Sequence, residues 1–137
     1  MVLKRVKSGM SNLIDLVGRL FISALFLMSA YNKILSIDGT MSWMEGFGIS
    51  GFLLYPTIAL EIILPILIII GYQARLSAGL LAIFCLATAF IFHNDFTNQM
   101  EMISFLKNIG LAGGFLFILA NGTKDFSIDK KKKYVRL

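Results

Sequence analysis

The sequence predicts an all-α fold, an integral membrane bundle of four helices. Apolar residues make up 57% of the 137 residues and the mean hydropathy is +0.78, which is more apolar side chain than a soluble domain of this length can bury. A helix that spans a bilayer needs about 20 mostly apolar residues, and four runs in the chain meet that requirement. We predict one domain over residues 1–137, with spans at about residues 13–31, 52–70, 74–92 and 103–120.

The first span carries polar residues on one helix face. Arg19, Ser23, Phe26, Ala30 and Lys33 follow the alternating spacing of four and three residues that keeps side chains on one side of a helix. This stripe is predicted to face the interior of the bundle. An arginine within the apolar run also argues against a cleaved signal peptide.

The longest predicted loop, residues 32–51, contains a short amphipathic stretch. Thr40 is a suitable N-cap for a short helix, and Trp43, Met44 and Phe47 would form its apolar edge. Such a helix lies at the membrane interface, where Trp is favoured. We favour an anchoring role; the alternative is a lid over the bundle interior, which makes Trp43 a candidate binding residue.

The second span has a carboxylate, Glu61, in the middle of its apolar run. An ionisable group at bilayer depth costs several kcal/mol, about 3 on insertion scales, and is by default a functional-site hypothesis. Pro65 cannot donate the hydrogen bond that the carbonyl of Glu61 would accept, so we expect a kinked or loosened helix there. Either Pro65 only shapes the helix, or Glu61 and its own carbonyl are the acceptors of a polar pocket.

The turn at residues 71–73 is short, so the second and third spans are predicted to be antiparallel neighbours. Cys85 is the only cysteine, which excludes an intramolecular disulfide and a paired-cysteine redox motif. It belongs to a small-residue edge of the third span that indicates helix packing: Ala78, Ala82, Cys85 and Ala89.

The fourth span has polar and small residues on one face. Lys107, Gly110, Gly114 and Asn121 share this face, and the two glycines have the spacing that lets helices approach closely in lipid. Such packing would bury Lys107 against a neighbouring helix near the outer side.

The distribution of charge predicts the orientation. Positive charge near the ends of spans is retained in the cytoplasm, so we expect both termini to be cytoplasmic. The net charge of +5 lies mostly in the two terminal tails, where it favours contact with the lipid bilayer, and it does not imply nucleic-acid binding. The cations that give this prediction are Lys4, Arg5, Lys7, Arg75, residues 130–133 and Arg136.

Two cations within the spans compete for Glu61. Arg19 offers a planar fork with long reach, whereas Lys107 is a point charge closer to the outer surface. We predict Arg19 and Glu61 as a permanent pair and Lys107 as the cation free to meet an anion or transfer protons. Asp15, four residues before Arg19, is the alternative partner of that arginine. Glu61, Arg19 and Lys107 are the candidate catalytic residues.

His93, at the end of the third span, is the only histidine. A single histidine at the boundary of a span is more often an interface residue than a ligand. No second histidine is present for the usual zinc or haem ligation. We therefore expect no metal site. A proton-exchange role would place His93 in one outer vestibule with Lys33 and Lys107. His93 and Lys33 are candidate binding residues.

Several segments resemble the DoxX family of small four-helix membrane proteins. They are residues 19–33, the stretch from Glu61 to Arg75, the pair Phe92-His93, and residues 107–114, which include Asn108 as a further candidate binding residue. The resemblance covers nearly the whole chain. It implies a multi-pass protein of the bacterial inner membrane, and members of the family have been linked to quinone-coupled sulfur oxidation and to membrane complexes that manage thiol and oxidative stress.

Two function hypotheses from different classes follow. In the first, the chain is a membrane subunit of a quinone- or thiol-linked redox system, and Arg19, Glu61 and Lys107 stabilise a quinone and relay its protons. In the second, the chain is a non-catalytic scaffold or assembly subunit, whose charges set helix register and whose basic C-terminus docks a soluble or membrane partner. A transporter is a distant third, since four spans per chain would require a homo-oligomer.

Overall fold

The computed structural model describes residues 2–135, with side chains described up to residue 131, and it confirms the all-α fold class. Four of its helices are long and apolar enough to cross a membrane. Arg136 and the side chains of residues 132 and 133, which belong to the predicted C-terminal basic run, lie outside the described part. The four long helices are α1 (Val2–Leu35), α3 (Leu54–Ile70), α4 (Ala74–Phe92) and α5 (Gln99–Asn121); the short ones are α2 (Ile37–Glu45) and α6 (Ile128–Val135), and a 3-10 turn at Gly51–Leu53 leads into α3.

The bundle has two ends that carry different segments. The terminal end holds the first turns of α1, the turn at residues 71–73 and the C-terminal segment 122–131, whereas the loop end holds α2 and the connection at residues 93–98. The Asp15 carboxylate accepts the backbone N–H of Lys124 at 3.2 Å, so the first turns of α1 and the C-terminal segment meet at the same end. Which side of the membrane this end faces stays a prediction.

The predicted inward stripe of α1 is confirmed. Arg19, Ser23, Phe26 and Ala30 are the buried residues of this helix. Phe26 packs edge-on against Phe115 of α5, with the ring centroids 5.4 Å apart. The stripe therefore joins α1 to the apolar core and also carries polar side chains into it.

The predicted small-residue edge of α4 is also confirmed. Its members are buried where α4 packs along α5, because small side chains let two helix backbones approach closely. The second closely packed pair of helices is α1 with α3. The buried residues of the edge include Ala78, Ala82, Cys85 and Ala89.

The close packing predicted around Gly110 is wrong. Nothing lies within 4 Å of the position that a Cβ at Gly110 would take, whereas a Cβ at Gly114 would lie 2.8 Å from a side-chain carbon of α1. Lys107, one turn before Gly110, is exposed and not buried against a neighbour. The close approach is supplied by the small edge of α4, and α5 buries a different face there, with Ala112 and Phe115 as its buried residues.

The short helix predicted in the long loop is present, but it begins earlier than expected. α2 starts at Ile37, with Ser36 at the N-cap position and Thr40 inside the helix. The backbone N–H of Thr40 donates to the carbonyl of Ser36 at 2.9 Å. Thr40 therefore continues the helix and does not cap it.

Gly71 ends α3 in a conformation that other residues rarely adopt. Its φ is +71°, and a Cβ at this position would lie 2.2 Å from Cβ of Ser127 in the C-terminal segment. We expect Gly71→Ala to lower the free energy of unfolding by more than about 2 kcal/mol, because left-handed backbone strain costs 1–3 kcal/mol and the clash adds to it. Gly110→Ala is the matched control and should change stability by less than about 1 kcal/mol. Unfolding in detergent micelles with increasing SDS measures both, and equal effects would contradict the assigned role of Gly71.

Candidate functional site

Arg19 and Glu61 do not form the predicted pair. The Arg19 guanidinium is buried and its Nε donates to Oδ2 of Asp15 at 3.0 Å, so the alternative partner is the right one. The prediction was wrong because the two residues lie at different depths in the bundle. Arg19 lies near the carboxyl end of α3. That end is on the order of 10 Å along the helix axis from Glu61.

The other bonds of Arg19 go to backbone carbonyls. Its Nη1 donates to the carbonyls of Ile68 at 3.0 Å and Ile69 at 2.7 Å, and its Nη2 donates to the carbonyl of Phe126 at 2.7 Å. The last carbonyls of a helix have no partner within it, and a cation is favoured at this end by the helix dipole. Arg19 therefore joins α1, α3 and the C-terminal segment.

Glu61 instead bonds to Lys33. The Lys33 Nζ donates to both carboxylate oxygens, at 2.9 Å and 2.8 Å, and to the hydroxyl of Ser29 at 2.7 Å. The Glu61 side chain is 3% exposed, whereas that of Lys33 is 23% exposed. The sequence did place Lys33 on the inward stripe of α1 and among the binding residues. The pairing was missed because Lys33 lies near the end of its helix, and a lysine side chain can reach inward from there.

This ion pair lies in the wall of a cavity at the loop end. The cavity has a volume of about 750 Å³, within the range of small-molecule sites. Every candidate site residue lines it except Arg19, so the structure brings His93, Lys33 and Lys107 into one vestibule, as the sequence predicted. The candidate residues in its wall are Lys33, Trp43, Glu61, His93, Lys107 and Asn108.

The charges in the cavity wall do not cancel. Lys33 and Glu61 neutralise each other, and His93 contacts Glu101 through Nδ1 and Oε2 at 3.0 Å. Lys107 forms no ion pair with any side chain in the part of the chain that the structure describes. The residues that line the cavity include two cations, Lys33 and Lys107, and one carboxylate, Glu61. The lining therefore carries an excess positive charge, which favours a ligand with negative charge or with strong hydrogen-bond acceptors.

Polar groups opposite the ion pair come from α4 and α5. The amide of Asn108 donates to Oγ1 of Thr88 at 3.2 Å, and that hydroxyl also reaches the carbonyls of Phe84 and Cys85, at 3.0 Å and 3.1 Å. Asn108 keeps a carbonyl oxygen and a second amide hydrogen for other partners. Thr88 was missed in the sequence, because a threonine within a spanning helix gives no signal of its own.

Aromatic side chains hold α2 over the loop end. Trp43 stacks on Phe92 of α4 with the ring centroids 4.6 Å apart, and Phe47 packs edge-on against both rings, at 5.1 Å and 5.2 Å. The ring centroids of Trp43 and His93 are 6.5 Å apart. α2 is thus part of the cavity wall, which is compatible with the lid interpretation and leaves the anchoring interpretation untested.

Comparison with known proteins places the chain in a family. The sequence profile of the DoxX family matches residues 14–94, a stretch that contains Arg19, Lys33, Glu61 and His93. The chain belongs to the DoxX family. The match to the DoxX profile ends before α5, so Lys107 and Asn108 lie outside it.

Two relatives from Escherichia coli (strain K12) align over most of the chain. The inner membrane protein YqjF is 36% identical over 115 residues, covering 84% of this chain and 88% of the relative. The inner membrane protein YphA is 32% identical over 123 residues, covering 85% and 88%. No solved structure matches the chain. With four helices able to span a membrane, this DoxX chain is a multi-pass inner-membrane protein in contact with the lipid bilayer.

Proposed function

We propose that the chain is the membrane subunit of a redox system and that the loop-end cavity binds the head group of a quinone. The observation that carries this proposal is the placement of the Lys33–Glu61 pair, Lys107 and Asn108 in one amphipathic cavity. Such a cavity offers both hydrogen-bond donors and apolar walls, which is the composition of sites for amphipathic small molecules. The electron donor is then a separate protein.

The donor set suits the two carbonyl oxygens of a quinone. Lys107 offers an ammonium donor, and Asn108 offers an amide donor on the α5 side. A bound quinone takes up electrons and protons when it is reduced and returns them when it is oxidised. In this proposal the Glu61 carboxylate accepts a proton that the ligand releases, Lys33 orients that carboxylate, and Lys107 stabilises negative charge on the ligand. An apolar tail would leave past the aromatic residues Trp43 and Phe92, which line the cavity.

Trp43 provides a direct assay, because it is the only tryptophan in the chain and it lines the cavity. We expect a short-chain ubiquinone analogue to quench its emission saturably in the detergent-purified protein. Lys107→Met should weaken that binding about 10- to 100-fold, since a hydrogen bond from a charged donor contributes roughly 1.5–3 kcal/mol. Quinone extracted from the protein as purified should fall in parallel.

The matched control is Lys4→Met, which removes the same charge from an exposed position at the other end of α1. It should leave both quenching and extracted quinone unchanged. If the wild-type protein shows neither saturable quenching nor co-purifying quinone, the redox proposal is wrong. The scaffold hypothesis would then be the one to pursue, by testing whether a partner protein loses its membrane association in a deletion strain.

A further inference from the structure

The terminal end carries a second concave surface, remote from the cavity at the loop end. It is a groove of about 460 Å³ between the first turns of α1 and the C-terminal segment. We call it the terminal groove. Its lining residues are Lys7, Met10, Ser11, Ile14, Asp15 and Lys124.

The terminal groove has a positive charge that its one carboxylate does not cancel. Asp15 is already paired with the buried guanidinium of Arg19 at 3.0 Å and also accepts the backbone N–H of Lys124. Within the described part of the chain, neither Lys7 nor Lys124 takes part in an ion pair. The groove therefore suits an anion held between two lysines from different segments.

The other carboxylates of the C-terminal segment are held by neighbours outside the groove lining. Asp129 accepts the backbone N–H groups of Gln73 and Ala74, at 2.9 Å and 3.0 Å. Asp125 accepts the side-chain amide of Asn12 at 3.5 Å. Further cations on α1 and α6 add to the positive charge of this end: Lys4, Arg5, Lys130 and Lys131.

The two apolar side chains in the lining of the terminal groove are exposed. Met10 is 59% exposed and Ile14 is 67% exposed, and both lie where α1 emerges from its apolar span. An inorganic phosphate would leave these side chains uncovered. A phospholipid would cover them with its acyl chains while its phosphate meets the lysines, and basic pockets beside spanning helices are typical sites for anionic lipids.

We propose that the terminal groove binds one anionic phospholipid of the surrounding leaflet. Its phosphate lies between Lys7 and Lys124, the hydroxyl of Ser11 is placed to donate to it, and its first acyl carbons cover Met10 and Ile14. This inference is independent of what the loop-end cavity binds.

The test is native mass spectrometry of the full chain in detergent, titrated with dioleoylphosphatidylglycerol or dioleoylphosphatidylcholine. We expect the anionic lipid to bind tightly with a stoichiometry of one, and the zwitterionic lipid to bind much more weakly. The double variant Lys7→Gln/Lys124→Gln should bind the anionic lipid about 25-fold more weakly, from the roughly fivefold that each lysine near an anionic surface contributes.

Two further variants separate a groove from diffuse attraction. Lys4→Gln/Lys131→Gln removes the same charge outside the groove lining and should keep most of the affinity, whereas Lys7→Arg/Lys124→Arg should retain it. Equal losses in the two glutamine variants, or equal binding of both lipids, would overturn the proposal. Competition by inorganic phosphate alone would assign the groove to a soluble anion, and a change of oligomeric state in the variants would assign it to a second copy of the chain; either result would also overturn it.

Discussion

Lys33→Met is expected to lower the free energy of unfolding by about 3 to 5 kcal/mol, the cost of removing one partner from a buried ion pair. The variant leaves Glu61, whose side chain is 3% exposed, without the ammonium that bonds to both of its oxygens. The carboxylate must then stay buried with only the Ser29 hydroxyl near it, at 3.5 Å, or take up a proton. SDS-titrated unfolding in one detergent gives the free energy, and a lower pH should restore part of the loss, since a protonated Glu61 has no charge to bury.

The reverse substitution should cost less. In Glu61→Gln the stranded group is Lys33, which is 23% exposed and can turn its ammonium toward water at the loop end. We expect a loss of about 1 to 2 kcal/mol there, and near recovery in the double variant Lys33→Met/Glu61→Gln. Additive single effects without coupling would contradict the pair.

The double variant also separates fold from function. If Lys33 and Glu61 only set helix register, a stable double variant should bind the quinone analogue as well as the wild type does, with Trp43 emission as the readout. The proposed function expects a stable bundle that has lost this binding. If the double variant recovers its stability and also binds the quinone analogue with full affinity, the ion pair has no role in ligand binding.

Local spacing predicted most of the fold, because burial in a helix repeats with the helix period. The stripe from Arg19 to Ala30 and the small edge of α4 could be derived in this way. The terminal end could not, because Arg19 binds carbonyls of α3 and the carbonyl of Phe126. Every residue has a backbone carbonyl, so no residue pattern marks these acceptors.

The sequence identified six of the residues that line the cavity, but not how they pair. Arg19 was chosen as the partner of Glu61 for its planar fork and long reach, and this assumed that the two residues lie at similar depths in their spans. α1 begins at Val2, well before its predicted span, and its register against α3 brings Lys33 to Glu61. The bond between His93 and Glu101 was missed as well, since it depends on how the connection at residues 93–98 folds back.

Arg19→Met is expected to destabilise the bundle by about 3 to 5 kcal/mol without any coupling to Glu61. The substitution leaves Asp15 unpaired and removes the donors that reach the carbonyls of Ile68, Ile69 and Phe126. Each bond from a charged donor contributes about 1.5 to 3 kcal/mol, and the total is less than the sum because all the bonds share one guanidinium. Arg19→Lys should recover little, because one ammonium cannot reproduce a planar fork that reaches three segments.

The control for this experiment is Arg5→Met, an exposed arginine on the same helix, which should change stability by less than about 0.5 kcal/mol. Combining Arg19→Met with Glu61→Gln should give the sum of the single effects, since Arg19 contacts the carboxyl end of α3, on the order of 10 Å from Glu61, and the two share no bonding partner. Coupling above about 1 kcal/mol would show that the two side chains meet after all. Quinone binding distinguishes the two sites independently. In Arg19→Met protein that remains folded, the quinone analogue should still quench Trp43 emission as in the wild type, because Arg19 is not in the cavity wall.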